Sequence, residues 1–395
     1  MKRPLRIREL LLLTASLGFA LVLAEVGLRL VGFTGDQDVW SMPDERFGRV
    51  LRPGAEGWWR AEGETYVRIN SDGLRDREHQ LPKPPGTLRI AVLGDSFSEA
   101  KQVAMENTFW AVLERELAPC AGSWGKTHVE VINFGKAGYG TGLELLTLRE
   151  NAWKYDPDIV LLQFFSGNDL ANNRPATHRG CTDYFVYERG NIILRSHTRD
   201  CRQSAQTGSS FGALRLVQLI KMARKTLYDR VLRSKVLTKE GTLLEDPDQV
   251  EPGIWSKAFQ PPKDATWQEA WQITEGLIKL MNEEVRAHNA EFWIMTATVG
   301  IQVYPERAIR DAFERRFGAG SLLYADRRIE TLAMQEGIPM ILLAPRFAAF
   351  ADERNVFLHG FSNTALGTGH WNAEGHRLAG EIIAQEMCSE RRGPP

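Results

Sequence analysis

From residue 88 onward the chain alternates short, almost wholly apolar runs with longer stretches in which apolar residues recur at helical spacing. The runs are Leu88 to Leu93, Val129 to Phe134, Ile159 to Phe164, Phe292 to Thr296 and Pro339 to Leu343. Runs this short without polar alternation read as strands buried on both faces. The stretches near residues 105–117, 142–154, 266–289, 321–336 and 373–387 read as amphipathic helices. The alternation predicts an α/β fold: a parallel sheet of about five strands with helices on both faces.

Two segments break the rhythm. Residues 34–87 are rich in Gly, Pro, Trp and charge, and run through Asn70-Ser71-Asp72-Gly73 to Pro82-Lys83-Pro84-Pro85-Gly86, which predicts a lead-in of turns and short strands. The interval 170–263 is too long for an ordinary loop and carries its own helical stretch from Leu214 to Leu237, which predicts an inserted cap. That helix sets Leu216, Val217, Ile220, Leu227 and Val231 beside Lys221, Arg224, Lys225 and Arg230. It reads as a cap helix with a solvated basic face, with contact to a membrane surface as the alternative. The plan is therefore an N-terminal segment 1–33, the lead-in 34–87, an α/β domain 88–388 interrupted at 170–263, and a tail 389–395.

The N-terminal segment begins with Lys2, Arg3, Arg6 and Arg8, continues through an uncharged run from Leu10 to Ala24, and ends with Glu25 and Arg29 one helical turn apart. Read to Val31 it has about 22 residues, enough to cross a bilayer core of about 30 Å. The basic flank orients the rest of the chain outside the cytoplasm. A cleaved signal peptide ending near Val22-Leu23-Ala24 is the alternative and leads to the same compartment. Four cysteines, Cys120, Cys181, Cys201 and Cys388, suit an oxidising space, and Cys181 with Cys201 is the preferred disulfide. With 49 basic against 50 acidic residues there is no overall field to hold nucleic acid.

In an open parallel sheet the chemistry sits just past the carboxyl ends of the strands. The first predicted strand is followed by Gly94-Asp95-Ser96-Phe97-Ser98, the second by Gly135-Lys136-Ala137-Gly138 and the third by Gly167-Asn168-Asp169. The last helix is preceded by His370-Trp371-Asn372. These supply a hydroxyl nucleophile, a base, and hydrogen-bond donors for a developing oxyanion, the parts that acyl transfer requires. Asp95 and Asp169 read as supporting, turn-stabilising groups. No His, Cys and carboxylate cluster has metal-ligand spacing, and this chemistry needs neither metal nor cofactor.

In the order and placement of these four blocks the sequence resembles the SGNH or GDSL hydrolase superfamily, over roughly residues 88–388 outside the insertion. The stretch Asn70 to Asp76 also looks like the lead-in of membrane-anchored bacterial members. The resemblance implies a flavodoxin-like three-layer α/β/α sandwich, with Ser96 as nucleophile and His370 as general base. It also implies an oxyanion hole made of the Ser96 and Gly135 backbone N–H groups and the Asn168 side chain. The implied activity is a serine esterase cleaving acyl esters, O-acetyl groups above all, on envelope or extracellular carbohydrate. An O-acetyltransferase acting on polysaccharide and a non-catalytic binding protein on the same fold are the alternatives.

The family's orienting Asp, two or three residues before the histidine, is absent: Gly367 and Thr368 stand there. A backbone carbonyl, or a carboxylate such as Asp352 or Glu353, is the expected substitute, otherwise a Ser–His dyad remains. Ser98 is a secondary nucleophile candidate, His376 reads as structural or surface-exposed, and His359 is unplaced. Trp58, Trp59 and Trp371 are expected mainly in packing, with stacking on sugar rings as the alternative.

Overall fold

In the computed structural model the described residues are 7–31, 40–175, 182–196, 214–221, 223, 224, 227, 249–251, 254–318 and 321–392. The first helix, α1 (Ile7–Leu30), is apolar, and its stretch Leu11–Leu30 is long and apolar enough to cross a membrane. The Glu25 carboxylate near its end pairs with Arg29 at 2.8 Å. It also accepts the backbone N–H groups of Arg215 and Leu216, which open the helical turns of the insertion at 215–221.

The lead-in forms two antiparallel hairpins, β1 (Ser41–Asp44) with β2 (Gly48–Leu51) and β3 (Glu56–Trp59) with β4 (Thr65–Arg68). They close over a small core of Trp40, Leu51, Val67 and Ile69.

The α/β domain then runs β5 (Thr87–Leu93), α2 (Ser96–Glu99), α3 (Phe109–Leu117), β6 (His128–Asn133), α4 (Thr141–Glu150), β7 (Ile159–Phe165) and α5 (Asp169–Asn172). The described part of the insertion holds a hairpin of β8 (Tyr184–Glu188) and β9 (Asn191–Arg195) and a short return of β10 (Gln249–Glu251) and β11 (Ile254–Trp255). The chain ends with α6 (Ala265–Ala287), β12 (Glu291–Ala297), α7 (Arg307–Phe317), α8 (Tyr324–Glu336), β13 (Met340–Leu342), α9 (Leu343–Arg354) and α10 (Ala373–Arg392).

The five main strands lie in the order β13-β12-β7-β5-β6, all parallel. This is the flavodoxin-like arrangement, in which the winding direction reverses between the first and third strands. Helices α3, α9 and α10 cover one face, and α4, α6 and α8 the other. Every residue of β5 and β7 is buried, as their largely apolar sequences require. The one cation in β5, Arg89, is paid for by Glu130 at 2.7 Å and by the carbonyls of Gln80, Leu81 and Tyr155. It ties the end of the lead-in to the first strand.

The helix expected at 105–117 begins at Phe109, where Thr108 caps it. The last helix runs to Arg392, so most of the predicted tail is helical. Helix α9 was not expected: it follows β13 without a loop, and its start lies inside the apolar run read as strand. The observed disulfide joins Cys120, just after α3, to Cys388 in α10, with Cα atoms 6.0 Å apart. These two cysteines are therefore not free thiols; the preferred pair, Cys181 and Cys201, lies outside the described residues.

At the junction of lead-in and sheet, His79 lies 2.8 Å from Glu130 and 3.2 Å from Asp76. Burial pulls its pKa down, but the two carboxylates outweigh this and raise it from 6.5 to about 9. A raised folded pKa gives stability that is complete below pH 6.5 and is lost as pH climbs through about 9. Thermal melts are therefore expected to show Tm falling across that window, and His79→Gln is expected to flatten the dependence.

Candidate active site

The turn after β5 places Ser96 at the first position of α2. Asp95, fully buried, caps that helix by accepting the Phe97 N–H at 2.9 Å. Ser96 thus sits at the point where the winding of the sheet reverses, with Asn168 beyond the neighbouring strand β7.

His370 arrives on the loop before α10, and its Nε2 lies 2.7 Å from Ser96 Oγ. Its loop is fixed by a buried chain of hydrogen bonds. The Trp371 indole donates to Thr298 Oγ1 at 2.7 Å, and Thr298 bonds His359 Nε2 at 2.8 Å. His359 Nδ1 in turn bonds the Gly369 carbonyl at 2.7 Å. Because a carbonyl only accepts, Nδ1 of His359 carries the hydrogen and Nε2 receives the threonine proton. Burial, with the nearby His370, lowers the His359 pKa to about 4, so it stays neutral. His359, unplaced from sequence, holds the loop of His370; Trp371 belongs to the same buried network.

The acid against His370 comes from the lead-in. Glu62 Oε2 lies 2.5 Å from His370 Nδ1, and Glu62 Oε1 accepts the His370 backbone N–H at 2.9 Å. The Glu62 side chain is 3% exposed. It corrects the expectation of Asp352 or Glu353: Asp352 is engaged with Arg310 at 2.7 Å on the surface. Sequence reasoning missed Glu62 because nothing in Trp59-Arg60-Ala61-Glu62-Gly63 marks a partner 308 residues away.

The expected oxyanion donors are only partly arranged as anticipated. The Ser96 N–H heads α2 and needs no partner within the helix. The Asn168 Nδ2 donates to Asp95 Oδ2 at 3.3 Å, which leaves its second hydrogen for another acceptor. The Gly135 N–H, by contrast, is buried and donates to Asn133 Oδ1 at 3.0 Å. In the same loop the N–H of Lys136 goes to Gly94 O, that of Ala137 to Glu99 Oε2 and that of Tyr139 to Lys136 O. The N–H left unpaired among these is that of Gly138, which is exposed. The loop runs from beside Ser98 at Gly135 to beside Asn172 at Gly140.

Glu99 fastens this loop to α2. Burial opposes its ionisation, but Lys101 and Lys136 with the Ala137 N–H hold its pKa at about 2. Behind the site, burial raises the pKa of Asp95, Glu144 and Asp169; the charge of Asp95 adds to this at Glu144, and the charges of Glu144 and Asp95 add to it at Asp169. Asp169 accepts the Phe165 N–H at 2.7 Å and so braces the turn that carries Asn168.

The other candidates fall away from the reacting atoms. Ser98 is buried and bonded to Gln163 at 2.8 Å. His376 is buried, stacks on Phe109 and accepts its N–H, so it is structural and not at the surface. Among the described residues no group of three or more His, Cys, Asp and Glu is arranged to hold a metal ion.

No protein-family model matches the chain, and no curated protein matches its sequence. Among solved structures it is similar to an acetyl xylan esterase, AlAXEase, at 14% identity over 76% of this chain and 97% of that one, with a TM-score of 0.34. It is also similar to a catalytic mutant of an acetylxylan esterase from Geobacillus stearothermophilus, at 10% identity, 76% and 93% coverage and a TM-score of 0.38. A GDSL-like lipase from Bacteroides thetaiotaomicron is similar at 13% identity, 75% and 86% coverage and a TM-score of 0.32.

The buried chain behind His370 can be tested directly. Thr298→Val removes the hydroxyl shared by Trp371 and His359 and leaves two buried polar groups unpaired. It is expected to destabilise the protein by about 1–3 kcal/mol in denaturant unfolding.

Proposed function

We propose that this protein is an extracytoplasmic serine esterase of the SGNH type, held to the membrane by α1, that cleaves acyl esters on carbohydrate, O-acetyl groups above all. The observation that carries the reading is the 2.7 Å contact between Ser96 Oγ and His370 Nε2 at the switch point of the sheet. A hydroxyl hydrogen-bonded to an imidazole is the arrangement of an activated nucleophile.

In this reading Ser96 Oγ attacks the ester carbonyl as His370 Nε2 takes its proton. The carbonyl oxygen becomes an oxyanion that accepts from the Ser96 N–H and Asn168 Nδ2. The third donor is the Gly138 N–H in place of the engaged Gly135 N–H. Collapse breaks the ester C–O bond and returns the proton from Nε2 to the departing alcohol. Water then repeats the sequence on the acyl-enzyme and releases the acid.

Several features support the compartment and substrate. The disulfide between Cys120 and Cys388 suits an oxidising space, as does an apolar N-terminal helix after a basic start. Trp58 and Tyr66, 55% and 42% exposed and edge-to-face at 5.6 Å, occupy the outer face of the hairpin whose turn carries Glu62. Exposed rings of this kind suit stacking on sugars. A non-catalytic binding role rested on the missing acid, and the Glu62 contact removes that motive.

Ser96→Ala is expected to abolish both hydrolysis of a short-chain aryl acetate and labelling by a serine-directed organophosphonate. Asn168→Ala is expected to lower kcat by about a hundredfold or more. Unchanged turnover in Ser96→Ala would overturn the reading. Adding an oligosaccharide acceptor separates the two acyl-transfer outcomes: release of free acid supports the esterase, and acylated sugar supports the transferase.

A further inference from the structure

We infer that Glu62 is the positioning acid of this site, so that the lead-in 40–87 is part of the catalytic unit. The inference rests on the assignment of Ser96 and His370 above and deepens it.

A base that takes a proton at Nε2 must hold its other hydrogen at Nδ1, and an acceptor there selects that tautomer and aims the ring. Glu62 does this with one oxygen and fixes the loop with the other, since Oε1 holds the His370 backbone N–H. Ring and backbone are thus clamped by a single carboxylate that is almost sealed from water. When Ser96 gives up its proton, the imidazolium forms against this charge. The proton that moves is on Nε2, and the one on Nδ1 stays between ring and carboxylate.

The positions where the resemblance places an acid are closed. Gly367 has φ +79°, and a Cβ there would lie 2.5 Å from the Tyr304 ring. Thr368 is buried and donates to the Ala365 carbonyl at 3.0 Å. Asp95 is occupied with the Phe97 N–H and Asn168.

The turn that delivers Glu62 is built for the task. Gly63 has φ +67°, and a Cβ there would lie 2.3 Å from the Gln102 carbonyl oxygen. Asn363 accepts the Gly63 N–H at 2.9 Å and donates to the carbonyls of Arg60 and Gly63. The Trp59 indole donates to the Glu62 carbonyl at 2.9 Å. The turn is therefore docked on the segment 361–364, a few residues from His370.

The test uses the full-length protein in detergent, with Ser96→Ala and His370→Ala as references. Glu62→Gln is expected to keep KM within about twofold and to lower kcat by about a hundredfold or more. The rate of organophosphonate labelling is expected to fall in parallel. Glu62→Asp keeps the charge with a shorter reach and is expected to recover part of both rates, while Glu62→Ala recovers none. If Glu62→Gln also lowers Tm, the Asp and Ala variants decide, through labelling of the folded protein.

The inference is overturned if Glu62→Gln turns over within about threefold of wild type, or if Glu62→Asp is no better than Glu62→Ala in folded protein. Activity surviving in Ser96→Ala would instead sink the underlying reading, so the two failures are distinguishable.

Discussion

A carboxylate sealed from water is costly unless its oxygens are paired, and Glu62 meets that condition where the lead-in touches the loop of His370. One oxygen takes a backbone N–H and the other faces the ring. The interaction therefore demands that two stretches from opposite ends of the chain be registered to within hydrogen-bond tolerance. Much of the surrounding architecture can be read as meeting that demand. Asn363 pins the turn of Glu62 on one side, and the chain Trp371, Thr298, His359 and Gly369 pins the histidine loop on the other.

The rest of the lead-in is equally bound to the sheet. Arg75, almost wholly buried, donates to the carbonyls of Glu99 and Val103 just after the turn of Ser96. Asp76 accepts the Asn133 N–H, and Asn133 in turn donates to the Arg75 carbonyl and accepts the Gly135 N–H. One short stretch thus braces the loops that follow both β5 and β6. Arg75 and Asp76, at the end of the stretch Asn70 to Asp76, thus form the joint between two layers of structure. It also explains why the Gly135 N–H is unavailable, since it serves the joint and leaves Gly138 to face outward.

The fold was legible because its signals are local and repeated. A strand buried on both faces is largely apolar along its length, so the five runs marked the sheet, and their alternation with amphipathic stretches marked its parallel sense. The places of Ser96, Asn168 and His370 in the fold were legible for a related reason: each follows a strand or precedes a helix, so sequence position implies place at the rim. Helix α9 escaped because Leu343 and its neighbours are apolar in either conformation, and no turn residue separates them from β13. Gly135, the first glycine after β6, serves a close approach to Ser98, where no side chain fits, and its N–H is turned to Asn133.

The acid was illegible for a deeper reason. A nucleophile and a base must meet the substrate at fixed places on the sheet, which ties them to particular strand ends. An orienting carboxylate has only to accept a hydrogen bond at Nδ1 and carry charge nearby, and any segment that reaches the ring can supply it. Beside Gly367 and Thr368, the carboxylate against His370 approaches from the lead-in instead. With the loop turning at φ +79° against Tyr304, the space beside His370 is open to the hairpin and closed to its own neighbours. On the proposed reading the third member reaches the histidine from a distant part of the chain, and a search for spaced motifs sees only the two members tied to strand and helix ends.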